Sequence, residues 1–103
     1  MKTEELDENL CNWQVEDEVI ILEPKEYFNK GIIGVTEDKC HLVYSYQKIT
    51  NENASEEFMK KGSDDERTFD DFLNEACEWV DYNTIRGLPY MNEKYRPIII
   101  YEF

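Results

Sequence analysis

The residues here that could do chemistry are mostly carboxylates: 24 Asp and Glu stand against 11 Lys and Arg and one His, a net charge of -13 over 103 residues. Carboxylate pairs can act as general acid and base, but with so many acids chance pairs are expected, and no sequence pattern marks a buried pair with a raised pKa. The only histidine, His41, falls in a predicted strand, and no serine or cysteine is tied to it by a nucleophile motif. Cys40 and His41 are neighbours and would point to opposite faces of a strand, which argues against zinc. Asp64-Asp65-Glu66 lacks the spaced ligands and the glycine of a calcium loop, and reads as a solvated acidic turn. Gly31 and Gly34 are not followed by the Gly-Lys-Ser/Thr of a phosphate loop. Asn53-Ala54-Ser55 matches a glycosylation acceptor in form only. The expectation is no catalysis, no metal and no cofactor.

What such a chain can do is bind through charge. Residues 1–23 hold eight acids against one base and residues 52–81 eleven against three, while 24–51 and 82–103 are nearly neutral. So strong a negative balance repels DNA, RNA and anionic membranes and attracts basic surfaces, of which nucleic-acid-binding proteins are the largest class. Within the second block Asp70, Asp71, Glu75, Glu78 and Asp81 recur at helical spacing and form a carboxylate ridge, preceded by Asp64, Asp65 and Glu66. Such a ridge is usually only a solvated face; what lifts it above background is its density, since retaining a charge whose self-repulsion costs stability suggests a use in steering onto a basic partner. Trp79, Tyr82, Tyr90 and Tyr95 with Arg86 and Arg96 also allow two readings. One is a core and its lid, with the arginines neutralising nearby acids; the other is an interface hot spot that includes Trp79, Tyr82 and Tyr90.

The elements that must position these groups can be read in outline. The length suits a single domain, and 41% hydrophobic and 14% aromatic residues suffice for one core. Residues 1–11 are polar and acidic without period, a frayed leader or an arm that orders only on packing. Val19-Ile20-Ile21-Leu22, stopped by Pro24, predicts a strand near 19–22, and Pro24 opens a short helix with Gly31 as its stop. Two β-prone runs around Glu37-Asp38-Lys39 predict a hairpin over 31–46, with Gly34 marking a bulge, a close backbone approach or a merely tolerated glycine. A short or broken helix over about 47–61 follows. Thr68 and Asp71 approximate a capping box for a helix over 69–82, whose Phe69, Phe72, Leu73, Ala76 and Val80 make one apolar stripe. Leu88-Pro89-Tyr90 predicts an extended or turned segment, and Pro97 to Tyr101 a last strand covered on both faces. The fold class is therefore α+β: a small, mainly antiparallel sheet with two helices packed on one face.

No run reaches the roughly 18–20 apolar residues of a membrane span, and the acidic first residues do not resemble a signal peptide, so a cytoplasmic location is expected. Cys11, Cys40 and Cys77 are odd in number and far apart; they read as free thiols on small buried residues.

Glu26-Tyr27-Phe28, Ile32 to Val35, Val43-Tyr44-Ser45-Tyr46, Glu78-Trp79-Val80-Asp81-Tyr82-Asn83-Thr84-Ile85-Arg86, Leu88-Pro89-Tyr90-Met91 and Pro97-Ile98-Ile99 occur together. Over roughly residues 20–101 this pattern resembles a family of small uncharacterised open reading frames of phages, mobile elements and bacteria. The acidic leader and the segment around Asn51 to Arg67 look peculiar to this chain. The resemblance carries over no catalytic or binding residue. It implies a phage-linked context, in which small proteins disable host systems and acidic mimics of nucleic acid recur. The expected function is an anti-CRISPR or other anti-defence inhibitor that shows a DNA-like carboxylate surface to a basic nucleic-acid-binding host protein. The alternative is a self-associating interaction module, a homodimer through the last strand and the Trp79 to Tyr90 region, with the acid serving solubility.

Overall fold

The computed structural model describes residues 3–102, apart from the side chains of residues 3–5 and 7. Four helices and three strands follow in the order α1 (Thr3–Asn12), α2 (Lys25–Phe28), β1 (Ile32–Val35), β2 (Leu42–Ser45), α3 (Tyr46–Lys60), α4 (Phe69–Asn83) and β3 (Ile98–Ile100). The class is α+β, as expected, with more helix than the sequence pattern gave.

The sheet has β2 at its centre, antiparallel to β1 and parallel to β3, so it is mixed. Leu42 and Tyr44 point to the buried face and pair with the core side of their neighbours, Tyr44 with Ile32 and with Ile99. Of the readings open for Gly34, the bulge is present. Ile32 pairs with Tyr44 and Gly34 with Val43, so Ile33 is the extra residue and turns outward. A side chain at Gly34 would meet nothing, which removes the close-approach reading. The hairpin turn is held by Asp38, whose carboxylate accepts from the Thr36 hydroxyl and from the Cys40 N–H, with Lys39 at positive φ.

Two expectations are corrected, and the leader takes the second of its two readings. Residues 19–22 do not form a strand: the Ile20 N–H donates to the Tyr95 carbonyl and the Leu22 N–H to the Tyr44 hydroxyl, 3.1 Å away, so isolated partners satisfy the backbone instead of a ladder. The last strand is not covered on both faces; it is an edge, with Ile99 packed on the core and Ile98 and Ile100 exposed. Much of the leader is helical, and Leu6, 0% exposed, joins Leu22, Phe28, Ile32, Leu42, Tyr44, Ile49 and Val80 in the main core; residues 1 and 2 of that leader lie outside the described residues.

The third helix is unbroken. Ser45 ends β2 and caps α3 by accepting from the Lys48 N–H, so the strand runs directly into the helix. Its buried face includes Thr50 and Asn53, whose polar groups are satisfied locally: Thr50 donates to the Tyr46 carbonyl, and Asn53 donates to the carbonyls of Ile49 and Tyr27. Gly31 admits α3 at this point, because a Cβ there would run into the Ile49 side chain. Phe58, late in α3, meets Phe69 and Phe72 early in α4, while Tyr46 at the start of α3 reaches Cys77 and Asp81 late in α4. The two helices therefore run antiparallel as a two-helix arm with its own small core of Ala54, Phe72 and Ala76.

Candidate functional site: the acidic arm and its aromatic groove

The strands come from the nearly neutral segments, whereas α4, the later part of α3 and their connection come from the second of the two acidic blocks, so the arm is strongly acidic. Asp64, Asp65 and Glu66 sit on the connection at its tip. Asp70 and Asp71 occupy the first turn of α4, where carboxylates complement the helix dipole. Glu75, Glu78 and Asp81 continue along the exposed face of the helix. From Asp70 to Asp81 the helix rises about 16 Å at 1.5 Å per residue.

These eight carboxylates are not equivalent. Arg67 straps two of them: its Nε and Nη2 donate to Asp65 at 3.1 and 2.7 Å, and its Nη1 donates to Glu75 at 3.1 Å. The guanidinium also lies over the Phe72 ring, 4.3 Å from its centre. Its hydrogen bonds hold the Asp65 carboxyl at about 2 and push the Arg67 pKa upward. Asp71 completes the capping box, accepting from the Thr68 N–H at 2.9 Å. Asp81 accepts from the Tyr46 hydroxyl at 3.0 Å; burial, then the hydrogen bonds to Cys77 and Asp81, raise the Tyr46 pKa. Asp64, Glu66, Asp70 and Glu78 have no hydrogen-bond or ion-pair partner among the described residues. No sequence pattern singles out Arg67, because its spacing to Glu75, eight residues on, belongs to no short-range pattern.

The aromatic cluster divides. Tyr95 is buried, and Tyr90 is 90% exposed at the end of a 3-10 turn over Ile85–Tyr90. Trp79 and Tyr82 line an open groove of about 810 Å³ with Ile85 as further apolar wall, Glu75, Glu78 and Asp81 as acidic rim, and Arg86 beside them. Trp79 is clamped from the core side by Tyr27 and Phe28, with ring centres 4.5 and 5.7 Å away. Burial, then the nearby Cys77 and Glu57, push the Tyr27 pKa up to about 12, so that ring stays neutral. Among the described residues neither Arg86 nor Arg96 forms an ion pair with an acid. Arg86 lies 5.1 Å from the centre of the Tyr82 ring, and Arg96 donates to the carbonyls of Pro89 and Met91.

His41 Nδ1 lies 2.7 Å from the Arg96 carbonyl, an acceptor, so that nitrogen carries the proton. The cysteines are free but not buried: Cys11 is exposed and Cys40 and Cys77 are half-buried, a correction to the sequence reading. Among the described residues no three His, Cys, Asp or Glu gather as metal ligands, and no helix is long and apolar enough to cross a membrane.

Compared with protein-family models, curated proteins and solved structures, the chain matches none. The functional reading therefore stands on the site's own chemistry: carboxylates and two aromatic faces at one surface, a combination suited to holding cationic groups.

Proposed function

We propose that this chain is a non-enzymatic binding protein whose acidic arm occupies the nucleic-acid-binding surface of a basic protein. The observation that carries this reading is the spacing on α4. Five exposed carboxylates, Asp70, Asp71, Glu75, Glu78 and Asp81, are spread over about 16 Å of helix rise in unequal steps, a mean of about 4 Å per charge against roughly 3.4 Å per charge along one strand of DNA. Arg67 withdraws Glu75 from that array, so Asp70, Glu78 and Asp81, with Asp64 and Glu66 at the tip, carry the contact. The phage-linked context implied by the resemblance makes a host nuclease or CRISPR effector in the bacterial cytoplasm the partner class. Pull-down from a bacterial lysate tests it: a basic nucleic-acid enzyme is recovered at low salt and lost at high salt, and recovery of none at low salt contradicts it.

A second reading has one observation in its favour. The edge strand β3 exposes Ile98 and Ile100, in the nearly neutral part of the molecule where two copies would repel least. Self-association through that edge would appear in sedimentation as an oligomer insensitive to salt.

A further inference from the structure

We infer that the groove floored by Trp79, Tyr82 and Ile85 is the seat for an arginine-bearing segment of the partner protein, arginine being preferred to lysine. The inference rests on the proposed acidic-arm function and names the recognition element within it.

Charge fixes the class of occupant. The rim is Glu75, Glu78 and Asp81, and among the described residues Arg86 is the only base that lines the groove. A second copy of this chain would bring another net charge of -13, and nucleic acid or anionic lipid would meet like charge. A basic polypeptide remains. The cavity, about 810 Å³ and open along the helix, would leave a small molecule largely in water, whereas a peptide segment could lie along it.

Shape and chemistry fix the residue. The helical spacing sets Glu78 and Asp81 in one i,i+3 row beside the neighbouring Trp79 to Tyr82 row, so a planar cation stacked on a ring has two carboxylates along one flank. Both parts are pre-oriented: Tyr27 and Phe28 hold Trp79, and the Tyr46 hydroxyl holds Asp81. The chain already uses the same arrangement for one of its own arginines. Arg67 stacks on Phe72 while forking to Asp65 and Glu75, and Arg86 lies over Tyr82 by stacking alone. A guanidinium can stack and fork at once; an ammonium acts as a hydrated point charge. A second depression, of about 230 Å³, shares Trp79 and Glu75 with the groove and adds Glu57. A bound segment could therefore run across Trp79 with acid on both sides.

The test uses the full chain labelled with ¹⁵N and three peptides of one alanine-leucine frame, carrying arginine, lysine or glutamine at the same positions. At low salt the arginine peptide is expected to shift the amides of residues 75–86 and to bind about three-fold or more tighter than the lysine peptide, the glutamine peptide not binding. Tyr82 is 70% exposed and outside both cores, so Tyr82→Ala keeps the fold; it should erase the arginine preference. Glu78→Gln should weaken both cationic peptides alike. Equal affinity for arginine and lysine, or shifts centred on residues 64–70, overturns the groove assignment while the acidic-arm reading stands. Binding of neither cationic peptide overturns both.

Discussion

Arg67 and Tyr44 illustrate how single side chains decide what the charge and the core of this protein can do. Arg67 pairs with Asp65 and Glu75 and so removes two carboxylates from the outward field. Because the folded Asp65 titrates at about 2, below its ordinary 3.8, the strap's contribution is complete above about pH 4 and is lost as the pH falls toward 2. A carboxyl NMR titration should show that Arg67→Gln returns the Asp65 midpoint toward its ordinary value; an unchanged midpoint would mean that the strap is not what depresses it. Tyr44 is fully buried, and its hydroxyl is the acceptor for the Leu22 N–H. Tyr44→Phe leaves that donor buried and unmatched, and should cost about 1–3 kcal/mol in urea denaturation followed by circular dichroism. The identities of the exposed acids were legible in the sequence, because helical periodicity says which positions share a face. Their pairing was not: Arg67 to Glu75 and Tyr46 to Asp81 join positions that only the folded arm brings together.

At the level of elements, the signals that carried through were local ones. Thr68 with Asp71 and the apolar stripe of α4 fixed that helix, and the β-branched runs fixed the hairpin. The third helix looked broken because its buried face contains Thr50 and Asn53, whose local hydrogen bonds replace apolar contact and are invisible to a hydrophobic pattern. Residues 19–22 read as a strand by composition; the tyrosine hydroxyl and the loop carbonyl that satisfy their backbone come from residues more than 20 positions away in the chain. The leader has no clean stripe, yet Leu6 anchors it in the core. Close packing between these elements makes its own prediction. Gly31→Ala places a methyl group against Ile49 and 3.1 Å from the Ser45 carbonyl or nearer, and should destabilise by about 1–3 kcal/mol in the same denaturation assay, whereas Gly34→Ala meets no atom. Comparable losses at both glycines would mean that backbone freedom, not the contact with α3, is what Gly31 supplies.

For the molecule as a whole, the division of charge is the organising feature. The sheet is built from nearly neutral chain and the arm from chain with eleven acids against three bases, so the arm carries a large negative charge of its own. The groove beside Trp79 lies on that arm, which sets an aromatic floor beside that charge. The most direct measurement of this account compares the wild-type chain with Asp70→Asn/Glu78→Gln/Asp81→Asn in capture of a basic protein from bacterial lysate at about 50 mM salt, with duplex DNA as competitor. The account predicts that the wild type captures a nucleic-acid-binding protein, that DNA displaces it, and that the folded triple variant captures none. Capture by the triple variant at wild-type strength, or capture that duplex DNA leaves untouched, would contradict it.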